Sequence, residues 1–252
     1  MTESPGFPAW QAWHIQYGSG AARHPLLNLV GDETRTPWFW IDLHALAPVM
    51  EIGFPATNSR GRRAPWLESA LRSGLAVAAR EQPTPAVCNA ALFPHRRRPT
   101  VWTGLLAATS ARALSVLGAQ GSADAHEQTS DHVIVGEVTA LYDSLVPDGD
   151  RPATASWHLA WLEATVGNSS PSPARSCSSY MPQRSSPPAV PHSLVASLCR
   201  WSAETAHLIG TTADELWTPV VARLCHIQAV RLGGAEAGRR AETAALRAIT
   251  GR

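Results

Sequence analysis

The order of apolar and polar positions divides this chain near residue 65. Before it, short runs rich in aromatic and β-branched residues are separated by polar, glycine- and proline-containing stretches, which is the pattern of strands. They predict a first strand over 10–18 (Trp10-Gln-Ala-Trp-His-Ile-Gln-Tyr-Gly18), a second over 38–43 and a third over 49–54, then a turn-rich stretch. The connection 19–36 holds Leu26, Leu27 and Leu29 and has room for one helical turn. From Pro65 the period becomes helical. Trp66, Ala70, Leu71, Gly74, Leu75 and Ala78 form a stripe that ends before Pro83, with Glu68 and Arg72 paired one turn apart. The segment 86–93 predicts a fourth strand, and helices are predicted over 101–117, 132–145, 153–166 and 192–209.

The last third is the most specific. Leu216, Val220, Leu224 and Ile227 recur at helical spacing, Thr218-Pro219 suits a helix start, and Gly233-Gly234 suits its stop. His226 stands off the apolar line between the small residues Ala222 and Ala229, which leaves space for another group to approach. A half-buried structural histidine has the same signature. Residues 167–191 are Ser, Pro and Arg with almost no aliphatics, the composition of a flexible linker. Because they include Tyr180, a flap over a cleft is the alternative.

Composition narrows the chemistry. The 252 residues are 44% hydrophobic and 16% charged, which predicts one large globular domain or a domain with an appendage. No run of apolar residues reaches membrane-spanning length and no secretory segment is recognisable, so a cytoplasmic protein without a membrane partner is expected. All 21 basic residues are arginine, which excludes a Schiff-base or phosphate-loop lysine. A net charge of +1 argues against nucleic acid as partner. Cys88, Cys177, Cys199 and Cys225 are scattered, as free thiols would be, and the ten histidines show no zinc spacing, so no metal is expected. Trp10 and Trp13 differ in strand parity, so one of them faces away from any single core. With Trp38 and Trp40 they suggest either an aromatic-walled groove or a helix-covered sheet.

The segment Leu224-Cys-His-Ile-Gln-Ala-Val-Arg-Leu232, followed by a turn and an Ala/Arg/Glu-rich helix, resembles the end of the C-terminal domain of lantibiotic dehydratases. That domain closes on a His-Met-x-x-Asn-Arg-Leu-like helix. His226, Arg231 and Leu232 match it, while Ile227 and Val230 depart. The family's opening strands, of the types Trp…Tyr-x-Lys-Leu-Tyr-x-Gly, Trp-Phe-Phe-Ile-Arg and Gly-Pro-His-Leu-Arg-Leu-Arg-Phe, are similar to 10–18, 38–42 and 48–54 here. Val49, Glu51 and Gly53 stand where the third pattern has a histidine and two arginines, and Asp42 stands where the second has arginine. A glutamyl carboxylate would meet like charge at Glu51 and Asp42. The run Asp131–Val138 also resembles a strand of flavin-reductase-like proteins, against the helical spacing of Ile134, Val138, Leu141 and Leu145.

The resemblance implies an elimination-domain-like α+β fold, with a small antiparallel sheet from the N-terminal third packed on a mainly helical remainder. It further implies a stand-alone pyridine synthase of thiopeptide biosynthesis, acting without cofactor on two dehydroalanines of a modified precursor peptide with its leader. A split glutamate-elimination domain and a non-catalytic leader-binding module are the alternatives. The implied catalytic candidates are His226, Tyr180, Asp42, Glu51, His158 and His14. The implied substrate-binding candidates are Trp13, Trp38, Trp40, Arg62, Arg63, Arg96, Arg97 and Arg231, with the arginine clusters facing an acidic leader. Either a monomer or a homodimer is compatible with this reading.

Overall fold

The computed structural model describes residues 10–33, 38–42, 48–55, 65–82, 99–118, 131–166, 190, 194–196, 198–199 and 212–251. Four strands, β1 (Trp10–Tyr17), β2 (Phe39–Asp42), β3 (Val49–Pro55) and β4 (Ala76–Gln82), form one sheet in the order β2-β3-β1-β4, with every pair antiparallel. Helix α1 (Gly20–Glu33) joins β1 to β2, and α2 (Pro65–Arg72) joins β3 to β4. Each helix therefore crosses over one intervening strand. The result is two interleaved split β-α-β units, the ferredoxin-like arrangement.

Sequence and structure agree on β1, β2 and β3 within a residue or two and differ on the elements between them. The connection predicted to hold one turn is the 14-residue helix α1, which buries Leu26, Leu27 and Val30. The helix predicted up to Pro83 stops early, because Gly74 takes a left-handed conformation (φ 74°) that suits glycine. The following Ala76–Gln82 then pairs with the open edge of β1 as β4, although its alanines favour helix. The fourth strand predicted over 86–93 lies outside the described residues.

Strand parity sorts the sheet into two faces. Ile15, Met50, Ile52 and Trp40 share one face and pack against Leu26, Leu27 and Val30 of α1 and Trp66, Leu67 and Ala70 of α2. Trp38 and Trp40 are 8% and 0% exposed, so they are core and not walls of a groove. Trp13 is half-buried on this same face. The other face carries Trp10, His14, Phe39, Ile41 and Glu51. Here Phe39 lies on Gly53, where a Cβ would come within 2.2 Å of the ring.

Beyond the sheet lie α3 (Pro99–Gly118), α4 (Asp131–Leu145), α5 (Arg151–Val166) and α6 (Ala213–Thr250). Asp131–Val138 is helical, which removes the flavin-reductase-like strand. Helix α6 starts at a capping box between Thr212 and Glu215, not at Thr218, and Pro219 lies inside it. It is broken at Gly234, whose φ of 75° and ψ of 179° are open essentially to glycine alone. The arms 213–233 and 235–250 fold back on each other. Gly238 lets them touch: a Cβ there would lie 2.4 Å from the Ala229 carbonyl oxygen.

Two buried polar devices bind the layers. Strand β2 is a sheet edge, and its outward backbone at Trp40 is satisfied by Ser110 Oγ on the N–H and Arg231 Nε on the carbonyl. Arg231 is 1% exposed, donates further to Thr109 Oγ1 and the Leu106 carbonyl, and lies 5.1 Å over the Trp40 ring. Its expected part in binding substrate gives way to a structural one. In the helical layer, Arg112 of α3 grips Glu137 of α4 through two hydrogen bonds of 2.6 and 2.7 Å, and Gln228 of α6 adds a third at 3.3 Å.

Candidate functional site

Folding α6 back at Gly234 brings two residues eight positions either side of the break into contact. His226 Nδ1 and Glu242 Oε2 are 2.8 Å apart. A continuous helix at 1.5 Å per residue would separate them by roughly 24 Å. The other oxygen, Oε1, lies 3.0 Å from His158 Nε2 of α5. That contact is off the line of a well-formed hydrogen bond and is chiefly electrostatic. Behind it, the Tyr142 hydroxyl of α4 meets His158 Nδ1 at 2.9 Å. Four side chains from three helices thus form one row: Tyr142, His158, Glu242, His226.

Burial grades along the row. Tyr142, His158 and Glu242 are fully buried, while the His226 side chain is 29% exposed. The row therefore reaches the surface at one imidazole. Tautomers follow from the partners. A lone pair on His158 Nε2 would be repelled by the carboxylate, so its proton sits there, and Nδ1 accepts from Tyr142. His226 likewise places its proton on Nδ1 toward Glu242, which leaves Nε2 as an open acceptor. Trp161 of α5 packs between the imidazoles, 5.6 Å from His158 and edge-on to His226 at 5.5 Å.

The electrostatics match this arrangement. Burial pushes the Glu242 carboxyl upward, but contacts with His158 and His226 and the charge of either imidazolium outweigh it and hold Glu242 below the usual carboxylate range. Burial, then Cys225 and Glu242, pushes the Tyr142 hydroxyl well above its ordinary value, so it remains a donor. Burial, then Glu242 and Glu137, raises the neighbouring Cys225 thiol, which makes it a poor nucleophile. Because the Glu242 pKa is depressed on folding, its stabilising effect is present above the unfolded value of about 4.3 and is lost as pH falls through the lower folded value. The melting temperature of the wild type should drop in that acid window. The drop should be shallower in Glu242→Gln, as read by circular dichroism at a series of pH values.

A groove of about 800 Å³ opens beside the same helices, walled by Leu145, Val146, Trp157, Trp217 and Pro219, with Asp150 and Asp214 on its rim. Trp157 is 43% exposed and lies one helical turn before Trp161, so the groove ends one turn from the tryptophan that touches His226. Of the two readings of the strand tryptophans, the burial of Trp38 and Trp40 favours the helix-covered sheet.

The remaining candidates fall elsewhere. His14 Nε2 meets buried Glu51 at 3.0 Å across β1 and β3, and the Gln82 amide meets His14 Nδ1 at 3.3 Å. Four of the six expected catalytic residues are therefore gathered into two clusters, His158 and His226 in the helical layer and His14 and Glu51 on the sheet. Asp42 ends β2 opposite Met50. Tyr180, Arg62, Arg63, Arg96 and Arg97 lie outside the described residues. Sequence reasoning missed Glu242 and Tyr142. Glu242 was hidden in an Ala/Arg/Glu-rich stretch that reads as a solvated face, and only its symmetry with His226 about Gly233-Gly234 hints at the contact. Among the described residues, no group of three or more His, Cys, Asp or Glu is gathered as a metal site. No described helix is long and apolar enough to cross a membrane.

The fold and site define an α+β protein with a buried carboxylate that orients a surface imidazole. No protein-family model matches the chain, and no curated protein matches it.

Proposed function

We propose that the protein is a pyridine-forming cyclase of thiopeptide biosynthesis, with His226 as its acid/base group. One observation carries the chemistry: the ring of His226 is held by Glu242 with its Nε2 open to an incoming ligand. The reaction class rests on the sequence resemblance to the dehydratase C-terminal domain. Two dehydroalanines of one peptide would join in a formal aza-cycloaddition. The amide of one tautomerises to a 2-azadiene, and the alkene of the other adds across it. Loss of water, then of the leader as an amide, yields the aromatic ring. Bringing the two chain ends together supplies up to about 7–11 kcal/mol. Moving the amide proton supplies about 10²–10⁴-fold, and that is the part assigned to His226. The tryptophan-walled groove, which ends one turn from the Trp161 that touches His226, suits the flat rings of such a peptide.

Glutamate elimination fits less well. Glu51 is buried against His14, and Phe39 fills the space over Gly53, so neither position offers a cation to a glutamyl group. Purified protein mixed with a linear bis-dehydroalanine precursor should release the leader amide and give a pyridine macrocycle, detected by mass spectrometry. With a glutamylated peptide it should give no dehydroamino acid. Elimination there, or no reaction with the first substrate, would overturn the proposal.

A further inference from the structure

The row behind His226 is longer than an acid/base pair needs. A buried carboxylate alone orients an imidazole, yet this one is backed by a second, fully buried imidazole and a tyrosine. Each added polar group carries a desolvation cost unless it is paired. The pairing found here converges on the carboxylate from both sides. The Tyr142 hydroxyl donates to His158 Nδ1, His158 Nε2–H faces Glu242 Oε1, and His226 Nδ1–H donates to Glu242 Oε2. Reversing any one link would set lone pair against lone pair or N–H against O–H in a buried site.

We propose that Tyr142 and His158 are positioning residues for His226: they hold Glu242 through Oε1 so that Oε2 faces His226, its proton stays on Nδ1 and its surface-facing Nε2 stays an open acceptor. His158 occupies one carboxylate oxygen, and that leaves the other for His226 alone. Tyr142 acts one step further back. Without its O–H, His158 Nδ1 becomes a buried acceptor with no donor, and the tautomer that places N–H against Glu242 loses its support.

Two titratable neighbours among the described residues do not compete for these positions. Cys225 on α6 is a buried protonated thiol, and Glu137 on α4 is engaged by Arg112 and Gln228. Trp161 contributes only ring packing to the two imidazoles. The inference rests on the acid/base reading of His226, but its first test does not depend on turnover.

That test is the tautomeric state of each histidine, read from ¹⁵N and ring-proton correlations of wild-type protein labelled at histidine, in weakly alkaline buffer. His226 should carry its proton on Nδ1 and His158 on Nε2. Solvent-exposed imidazoles favour the Nε2–H form, so a His226 in that form overturns the proposal without any variant. In Tyr142→Phe, His158 should become a mixture of tautomers, and kcat on the bis-dehydroalanine peptide should fall about 10–100-fold, the size of one lost buried hydrogen bond. KM should change little. A Tyr142→Phe protein with wild-type tautomers and wild-type kcat would remove Tyr142 from the row. If that variant does not fold, the wild-type spectrum decides. Should the tautomers be as stated while the wild type leaves the peptide unchanged, the positioning row stands and the cyclase reading falls.

Discussion

Replacing His226 by alanine should lower the rate of pyridine formation by about 10²-fold or more while the protein stays folded. The imidazole is the only member of the row that reaches the surface, so its loss removes the proposed proton carrier and leaves the groove in place. The peptide should still bind, and the loss should fall on kcat rather than KM. Removal of the imidazole also leaves Glu242 in the core with one contact fewer, so some stability is lost with the activity. Single-turnover rates, compared with a melting curve of the same preparation, separate the two effects. A folded variant with full activity would sink the assignment of His226.

The largest change in stability should follow from Arg112→Ala. This side chain and Glu137 are 3% and 0% exposed, and their paired hydrogen bonds join α3 to α4, with Gln228 of α6 resting on the same carboxylate. A buried pair adds little over a well-packed apolar pair, because each ion has been taken out of water. Removal of one partner is another matter. Among the described residues, Glu137 would then keep the weak amide contact of Gln228 alone, at a cost of about 3–5 kcal/mol. Urea unfolding should show that loss as a lower midpoint with an unchanged slope. The double variant Arg112→Met, Glu137→Met should recover part of it, since no unpaired charge remains. Equal losses in the single and double variants would mean that shape, not charge, holds these helices together.

Both predictions involve residues of different visibility in the sequence. His226 was marked by its small neighbours and by a family-like helix. Glu137 and Arg112 were not marked at all, because each is one polar position in an amphipathic repeat, and such positions usually face water. The same holds for Glu242 and Tyr142. Periodicity reports which residues face a core, but it does not report which polar residues are drawn into that core by a partner far along the chain.

The sequence by itself determined the three aromatic strands, the helical remainder and the turn at Gly233-Gly234. These are legible because strand and helix periods are local, and because a positive φ leaves few choices but glycine. Tertiary structure decided the rest. Ala76–Gln82 is a strand because β1 offered it an open edge, against its own helical preference. The 20–33 segment is a helix because Leu26, Leu27 and Val30 had a sheet to cover, although it contains Pro25. Trp38 and Trp40 entered the core, and Arg231 closed the edge of β2 instead of meeting a ligand. The site itself depends on the reversal at Gly234, which sets a carboxylate from one arm against an imidazole from the other. The physical reason is common to all of these. Local pattern fixes what a segment can be, and burial of apolar surface together with the pairing of buried polar groups fixes what it becomes.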